Sequence, residues 1–265
     1  MLKLNNISKV FYKNTSNENT ALSELNLKVN DGDFVSMIGS NGAGKSTLLN
    51  CIAGVHELSN GKIVLEEEDI NEVAEFKRAK YIGRVFQDPL SGTSPEMTIE
   101  ENLSLAVNKA ENMSLQWGLN KNKKAYIKEK LQEIDLGLED RLNTKVKLLS
   151  GGQRQALTLL MATMTEPKLL LLDEHTAALD PNTAIKIKEL TEKLISEKNI
   201  TTLMVTHNMQ DAIKMGNRLI MMNKGKIILD IKGDRKKNMT VEKLLDLFRM
   251  KQGSQYANDR TLLSV

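Results

Sequence analysis

The sequence has 265 residues, of which 40% are hydrophobic and 27% are charged. This length and composition are typical of one large folded domain or two small ones, and they exclude a chain that is mainly disordered. The 37 basic and 34 acidic residues leave a formal net charge of +3, which is too small and too scattered to indicate a nucleic-acid partner.

Cysteine usage and apolar runs indicate the compartment. The single cysteine, Cys51, cannot form an internal disulfide or a cysteine-based zinc site, and it points to a reducing compartment. Polar residues interrupt the start, Met1–Asn6, so it lacks the apolar core of a secretory signal. The densest apolar run, Leu169–Leu172, is far shorter than the roughly 20 residues of a membrane span. We therefore expect a soluble, cytoplasmic chain.

The first third of the chain shows the period-two alternation and short apolar runs that predict β-strands. The predicted strands cover residues 25–29, 34–38, 62–65 and 81–86. The polar turn 30–33 joins the first two, so we expect a hairpin that feeds a buried strand. A glycine-rich loop follows, and the apolar positions of residues 46–53 predict a helix that Gly54 ends.

Helical periodicity replaces the strand pattern between about residues 98 and 165, as in Ile127, Leu131, Ile134 and Leu138. A helix is predicted to begin at Asp180–Pro181, because a capping aspartate followed by proline is typical of a helix start. The other late elements are strands at 169–172 and 202–206 and an amphipathic helix at 241–248. Strands that alternate with helices predict an α/β domain with a largely parallel sheet.

Residues 39–46 fit the pattern G-x-x-x-x-G-K-[ST] between a predicted buried strand and a predicted helix. Glycines let a backbone curl around a phosphate with its N–H groups inward, and a helix N-terminus adds a favourable dipole. Lys45 is expected to neutralise the β- and γ-phosphates, Ser46 to hold Mg²⁺ and Thr47 to bond the α-phosphate. The alternative, a glycine-rich turn with a surface lysine, does not account for the flanking elements.

Two further segments carry candidate chemistry. Asp173 and Glu174 end a buried strand, where we expect Asp173 at the Mg²⁺ water shell and Glu174 as general base. Residues 150–152 open a helix and form a second anion-ready helix N-terminus. One nucleotide does not need two phosphate-binding helix N-termini from the same chain, so we infer that the second contacts the nucleotide of a neighbouring subunit. Taken alone, the segment is also explained as an N-cap with a tight entry turn.

In this order, the motifs resemble those of the ATPase subunit of an ABC transporter, over the chain to about residue 250. The matches are residues 39–47 to Walker A, Gln87 to the Q-loop, 149–153 to the signature, 170–174 to Walker B, 178–180 to the D-loop and His207 to the switch histidine. The resemblance implies an α/β P-loop NTPase fold with a RecA-like core, an N-terminal antiparallel β-subdomain and an inserted α-helical subdomain. The implied boundaries are 2–250 for the domain, about 92–166 for the helical insert and 251–265 for a polar tail.

The resemblance also implies ATP and Mg²⁺ as cofactors. The implied ATP-binding residues are Phe11, Ser40, Asn41, Gly42, Ala43, Gly44, Lys45, Ser46 and Thr47. The implied catalytic residues are Glu174, His207 and Gln87, and the implied Mg²⁺ ligands are Ser46, Gln87 and Asp173. Implied contacts from a partner chain are Ser150, Gly151, Gly152, Gln153 and Asp180. Phe11 matches the aromatic that stacks on adenine; Tyr12 is the adjacent alternative, and plain packing on a sheet edge stays open.

The implied partners are a second copy in a head-to-tail homodimer and an integral-membrane permease at the cytoplasmic face, with no nucleic acid. Residues 152–162, 173–181 and 206–209 resemble an importer subgroup with a branched-chain-amino-acid-type permease and a substrate-binding lipoprotein. Some of its members are proposed to handle tryptophan or tyrosine. An exporter ATPase would share every catalytic motif. A DNA-repair relative would place a coiled coil between Lys45 and Ser150, where sustained heptads are missing, and a translation-associated relative would carry two cassettes.

Four features stay outside these motifs. His56 lies in a polar loop, and we assign it no role. His175 stands where the family most often has proline, and it is interpreted either as a solvated loop residue or as an interface residue near the nucleotide. Cys51 is expected to pack rather than to react. A basic cluster is interpreted as a solvated loop; its members are Lys232, Arg235, Lys236 and Lys237.

Overall fold

The computed structural model describes residues 1–110 and 121–252 of the chain. These residues form two compact units: the first contains residues 1–79 and the described residues from 200 onward, and the second contains residues 80–199. Most of the predicted polar tail, residues 253–265, lies outside the described residues. Within the described ranges, no helix combines the length and apolarity that crossing a bilayer requires.

Strands and helices alternate along the described chain, as predicted. The strands are β1 (Leu2–Phe11), β2 (Asn19–Val29), β3 (Phe34–Gly39), β4 (Asn60–Leu65), β5 (Glu68–Asp69), β6 (Ile82–Val85), β7 (Leu169–Asp173), β8 (Thr202–Val205), β9 (Arg218–Asn223) and β10 (Lys226–Lys232). The helices are α1 (Lys45–Ala53), α2 (Glu75–Arg78), α3 (Ile99–Ala110), α4 (Lys121–Gln132), α5 (Gly151–Met164), α6 (Pro181–Lys198), α7 (Met209–Lys214), α8 (Asp234–Lys237) and α9 (Val241–Gln252).

An antiparallel sheet in the first unit has the strand order β2-β1-β4-β5. The alternation in β2 is confirmed, because Leu25, Leu27 and Val29 are buried and the residues between them are exposed. The predicted hairpin of β2 with β3 is wrong: β2 pairs with β1, and the polar turn leads into another sheet. All residues of β3 are buried. Burial on both faces is typical of a strand in a parallel sheet and not of a strand in a hairpin with one solvent-exposed face.

That second sheet places strands of the first unit in the order β10-β9-β3-β8. β3 is parallel to both of its neighbours, and β10 runs antiparallel to β9. Every residue of β3 and β8 is buried, as their continuous apolar runs predict. Helix α9 lays Leu244 and Phe248 into a core cluster with Ile38, Leu219 and Met221, which confirms the predicted amphipathic helix.

The structure corrects the prediction for part of the basic cluster. Residues 234–237 form α8, and Lys236 is only 4% exposed, so the solvated-loop interpretation is wrong for this residue. Its Nζ donates to the carbonyl oxygens of Ile213, Met215 and Gly216 at 2.8–2.9 Å. These carbonyls lie at the carboxyl end of α7. The last carbonyls of a helix have no hydrogen-bond partner within the helix, and a cation near them interacts favourably with the helix dipole. Lys236 therefore closes α7 from a different helix.

In the second unit, β6 and β7 run parallel with Val85 opposite Leu172. The leucines 169–172 are completely buried, which confirms the predicted apolar strand. The helices of this unit pack together, α5 lying against both α3 and α6. These contacts position the ends of β6, β7, α5 and α6, which carry the predicted site residues of the unit.

The predicted helical spacing of the insert is realised only in part. Ile127 and Leu131 lie in α4 and are buried. Ile134 and Leu138 are buried as well, but they follow the end of the helix at Gln132. The left-handed backbone of Asp135 (φ 49°) is not helical, so the chain turns there while its apolar side chains remain in the core.

Candidate functional site

A glycine-rich loop in the first unit leads from the end of β3 into α1. Gly44 has a left-handed backbone (φ 98°), and a Cβ at this position would lie 2.4 Å from the carbonyl oxygen of Ala21. Only glycine combines this conformation with so close a backbone neighbour. The N–H of Gly225 donates to the carbonyl of Ala43 at 3.0 Å and fixes the loop from the other side. The chain is thus curled at a helix N-terminus, the arrangement that binds phosphate.

Lys45, the first residue of α1, is buried in this loop with 7% of its surface exposed. Its Nζ donates to the carbonyl oxygens of Gly39 at 2.8 Å and Ser40 at 3.1 Å. A cation and a helix N-terminus at one place attract an anion. Asn41 and Ser46 are exposed, so the outer side of the loop is accessible to a ligand.

His207 follows the carboxyl end of β8, beside the strand that leads into the loop. The N–H of Thr206 donates to the carbonyl of Met37 at 3.0 Å, so the bonding between β8 and β3 continues up to the residue before His207. Asn208 then caps α7 by accepting from the N–H of Asp211 at 3.1 Å. The structure therefore brings His207 and the loop to the same edge of the sheet, where ligands of parallel sheets bind.

Phe11 is the last residue of β1 and makes two ring contacts. The ring of His56 lies edge-on to it, with the ring centroids 5.3 Å apart and the planes at 85°. The ammonium of Lys9 lies 5.0 Å from the centroid of the same ring. His56, which the sequence left without a role, thus contacts the predicted adenine-stacking residue. Tyr12, the alternative, is 71% exposed.

In the second unit, β7 delivers Asp173 and Glu174 to its carboxyl end, as predicted. Glu174 has a left-handed backbone (φ 46°), which turns the chain sharply out of the strand. Arg84 on the neighbouring β6 places its Nη2 3.9 Å from Oδ2 of Asp173 and its guanidinium over the ring of Phe86. Arg84 is a neighbour of the site that sequence reasoning missed. Its signal is a single cation within an otherwise apolar strand.

Gln87 lies two residues after β6 and is exposed. The next residue, Asp88, accepts from the N–H of Leu90 at 2.9 Å and caps the short 3-10 helix Pro89–Gly92. The predicted strand end before Pro89 is therefore confirmed. Because β6 and β7 are parallel neighbours, Gln87 and Glu174 leave the same edge of this strand pair.

Ser150 and Gln153 form a capping box at the start of α5. The Ser150 hydroxyl accepts from the N–H of Gln153, and the Gln153 side chain accepts from the N–H of Ser150, both at 3.2 Å. Ser150 and Gly151 are exposed, whereas Gly152 is buried. A Cβ on Gly152 would lie 2.2 Å from the methyl carbon of Thr183, so close packing of α5 on α6 requires glycine there.

Asp180 caps α6 by accepting from the N–H of Thr183 at 3.1 Å, and Pro181 occupies the first turn. Both features confirm the predicted helix start. Hydrogen bonds from Thr183 lower the pKa of the Asp180 carboxyl, because they favour its charged form. The remaining surface of Asp180 is exposed, so its carboxylate is available to a further partner.

The environment of His175 differs from the one that the sequence predicts. It is 3% exposed, so the solvated-loop interpretation is wrong. Its Nε2 lies 3.1 Å from the hydroxyl of Thr191 in the middle of α6. Burial, with a smaller effect of Lys188, lowers the pKa of His175 to about 4.

The predicted site residues divide between the two units. The first unit contains Phe11, residues 39–47 and His207, and the second contains Gln87, residues 150–153, Asp173, Glu174 and Asp180. Within the first, the loop and His207 share a sheet edge, while Phe11 belongs to the antiparallel sheet. Within the second, Gln87 and Glu174 share a sheet edge, while Ser150 and Asp180 open the packed helices α5 and α6.

Known proteins resemble this chain over most of its length. A family described as ABC transporter matches residues 22–177. A tyrosine transport ATP-binding protein of Clostridioides difficile (strain R20291) is 50% identical over 248 residues, 94% of this chain and 98% of that relative. The spermidine/putrescine import ATP-binding protein PotA of Haemophilus influenzae (strain ATCC 51907 / DSM 11121 / KW20 / Rd) is 36% identical over 218 residues. That match covers 82% of this chain and 55% of PotA, so the chain spans about half of that relative.

Among solved structures, the ATP-binding cassette MJ0796, a dimer in a post-hydrolysis state bound to ADP and Pi, superimposes with a TM-score of 0.74. It is 32% identical, and the match covers 88% of this chain and 98% of that one. The chain therefore belongs to the ABC transporter family. Within the family it is an ATP-binding subunit with the predicted α/β P-loop NTPase fold, and it hydrolyses ATP in support of transport.

Proposed function

We propose that the chain is the ATPase subunit of an amino-acid importer whose cargo is tyrosine or tryptophan. The observation that carries the proposal is the 50% identity, over 94% of this chain, to a relative named for tyrosine transport. The name of PotA, another relative, favours import over export. In this proposal a separate integral-membrane permease forms the membrane path and a substrate-binding lipoprotein delivers the amino acid. The chain then works at the cytoplasmic face of the membrane.

The loop 39–47 holds the nucleotide. Its N–H groups and the N-terminus of α1 receive the phosphates, and the ammonium of Lys45 exchanges the carbonyls of Gly39 and Ser40 for β- and γ-phosphate oxygens. Phe11 stacks on adenine while the edge-on ring of His56 supports it. The remaining contacts of the loop come from Asn41, Gly42, Ala43, Gly44, Ser46 and Thr47.

Hydrolysis needs a general base, groups that stabilise the negative charge of the phosphates, and a correctly positioned water. Glu174 takes the proton of the attacking water, a role that is worth roughly 10²–10⁴-fold in rate. His207 donates to the γ-phosphate, and Gln87 orients the water. Mg²⁺ would be held by Ser46, Asp173 and Gln87, whose hydroxyl, carboxylate and amide oxygens are the hard donors it prefers. When bound, it would neutralise charge on the phosphates.

A complete ATP site requires two copies of the chain. In the head-to-tail dimer, residues 150–153 of one copy contact the nucleotide held by the loop of the other, and Asp180 lines the same interface. The exposure of Ser150 and Gly151 at the N-terminus of α5 supports this role, because the cap satisfies the helix locally while leaving that surface accessible. Residues 92–108 and Gln87 transmit the closing of the dimer to the permease.

An uptake experiment tests the cargo. In a strain that lacks this gene, we expect uptake of labelled tyrosine to fall, and the wild-type gene to restore it. The variant Glu174→Gln should not restore uptake, whereas the matched variant Glu242→Gln, at an exposed carboxylate of α9, should. Competition by unlabelled tryptophan decides between the two cargoes. Normal uptake of both amino acids in the deletion strain would refute the proposal, and impaired efflux would favour an exporter.

A further inference from the structure

The side chain that follows Glu174 is tied to a distant point of the fold. His175 and Thr191 are both buried, and their side chains meet at 3.1 Å although the residues are 16 positions apart. Thr191 lies in the interior of α6, well beyond the first turn that Asp180 caps. The contact therefore joins the exit of β7 to the body of the helix that follows it.

The direction of this hydrogen bond follows from the partners of the threonine. A hydroxyl has one hydrogen to donate, and that of Thr191 is directed to the carbonyl oxygen of Ile187 at 2.7 Å. Thr191 therefore accepts from His175, whose Nε2 must carry the proton. A neutral imidazole with its proton on Nε2 meets this requirement, and burial favours the neutral form.

The segment between β7 and α6 is fixed at both ends and bent at its start. Glu174 has a left-handed backbone (φ 46°), a conformation that persists in a residue other than glycine only where the surroundings hold it. The N–H of Ala177 donates to the carbonyl of Glu174 at 3.0 Å, and Asp180 closes the segment at α6. His175 supplies a buried side-chain hydrogen bond between this bend and α6.

We propose that His175 is a positioning residue for the reaction: its hydrogen bond to Thr191 holds the bend at Glu174, and thereby aims the carboxylate of Glu174. This inference rests on the proposed role of Glu174 as general base. A general base acts only within hydrogen-bond distance of the proton that it removes. A small displacement of the Glu174 carboxylate therefore lowers the rate of hydrolysis without changing ATP binding.

Replacing the donor tests the hydrogen bond. His175→Phe keeps a ring and removes the donor, and we expect kcat for ATP to fall by about 10-fold while KM and the ATP dissociation constant stay within about twofold. His175→Gln restores a donor, because the amide nitrogen of glutamine is as many bonds from Cα as Nε2 of histidine. We expect it to recover kcat to within about threefold of the wild type.

Replacing the acceptor gives an independent test. Thr191→Val should lower kcat as His175→Phe does, and Thr191→Ser, which keeps the hydroxyl, should not. The double variant His175→Phe/Thr191→Val should be no slower than either single variant, because both remove the same bond. The comparison of Thr191→Val with Thr191→Ser still tests the hydrogen bond if His175→Phe fails to fold.

Three results would overturn the inference: a wild-type kcat in His175→Phe, additive losses in the double variant, or a fall in ATP affinity that accounts for the whole loss. Glu174→Gln is measured alongside. If that variant still hydrolyses ATP at the wild-type rate, the proposed role of Glu174 fails whatever His175 does. If it is inactive while His175→Phe keeps its rate, only the role of His175 is refuted.

Discussion

At the scale of single residues, the hydrogen bonds of Lys45 show how the loop holds a cation where phosphate is expected to bind. Its ammonium is buried and satisfied by two loop carbonyls, Gly39 and Ser40. Phosphate oxygens are stronger acceptors for an ammonium than neutral carbonyls. We therefore expect Lys45 to exchange these carbonyls for phosphate oxygens when the nucleotide binds.

We predict that Lys45→Ala weakens ATP binding by about 10- to 100-fold, because one charge-assisted contact to phosphate is lost. Titration with a fluorescent ATP analogue measures the affinity. Lys251→Ala, at an exposed lysine in the last turn of α9, is the control and should bind like the wild type. Equal affinities in Lys45→Ala and the wild type would refute the phosphate role of the loop.

Cys51 makes a pH-dependent contribution to stability. Burial in α1 raises the pKa of its thiol from 9.0 to about 11. Between these values the folded chain keeps the proton and the unfolded chain loses it, so stability falls as the pH rises. From pH 8 to pH 10 we expect the unfolding free energy to decrease by about 1 kcal/mol more in the wild type than in Cys51→Ala. Urea unfolding at both pH values measures this, and parallel decreases in the two proteins would contradict it.

At the scale of elements, buried cations and close glycines hold the helices that carry the site. Lys236 closes α7, the helix directly after His207, and Ser36 of β3 donates to the carbonyl of Met215 at the same helix end. Gly152 permits the contact of α5 with α6 at Thr183. Lys236 and Thr183 therefore hold site segments in place although neither residue belongs to a motif.

Removing the cation that closes α7 should destabilise the chain. We predict that Lys236→Met lowers the unfolding free energy by about 2 kcal/mol, because three carbonyls at the end of α7 lose a charged donor. The control, Lys237→Met, changes the neighbouring lysine, whose side chain is 79% exposed, and should change stability by less than about 0.5 kcal/mol. Equal effects of the two variants in urea unfolding would contradict this account.

The fit between α5 and α6 should depend on a single methyl group. Gly152→Ala places a Cβ against Thr183, and we expect it to lower the unfolding free energy by about 1–3 kcal/mol. Thr183→Ser removes the opposing methyl and should rescue most of that loss in the double variant. Gly151→Ala, whose Cβ would meet its nearest neighbour only at 3.5 Å, is the control. No rescue by Thr183→Ser would show that packing is not the reason for glycine.

Elements with a local signal were predictable from the sequence. The apolar run of β7, the loop before α1 and the capping pair Asp180–Pro181 are each encoded within a few neighbouring residues, and the structure has them in place. β9 and β10 are additional to the predicted strands, although the apolar run before Gly225 carries a strand signal. The pairing of β2 was predicted wrongly: β2 pairs with β1, whereas β3 lies between β8 and β9 and is buried along its whole length. The apolar pattern of a strand does not identify its partner.

Side-chain environments that depend on distant residues were not predictable. The burial of His175 requires Thr191, and that of Lys236 requires the end of α7. No periodicity connects residues so far apart, and both side chains belong to types that are mostly exposed or only partly buried. The sequence therefore located the loop, the carboxylates and the caps, whereas the residues that hold them in place emerged only from the fold.

At the scale of the whole molecule, the proposed account gives this chain half of each of two ATP sites. The first unit contains the loop and His207, and the exposed start of α5 in the second unit is the surface offered to a partner copy. The solved relative MJ0796, which resembles this chain with a TM-score of 0.74, is described as a dimer. In the proposed cycle, ATP binding closes the dimer, and hydrolysis followed by release of phosphate opens it.

The central claim, an ATP site shared by two copies with Glu174 as base, is tested most directly by sedimentation of Glu174→Gln. We predict a monomer without nucleotide and a stable dimer with ATP and Mg²⁺, together with loss of hydrolysis by at least about 100-fold. The added change Ser150→Arg, at the exposed start of α5, should block the dimer while leaving the loop able to bind ATP. A Glu174→Gln chain that binds ATP yet stays monomeric, or that hydrolyses ATP at the wild-type rate, would contradict the account.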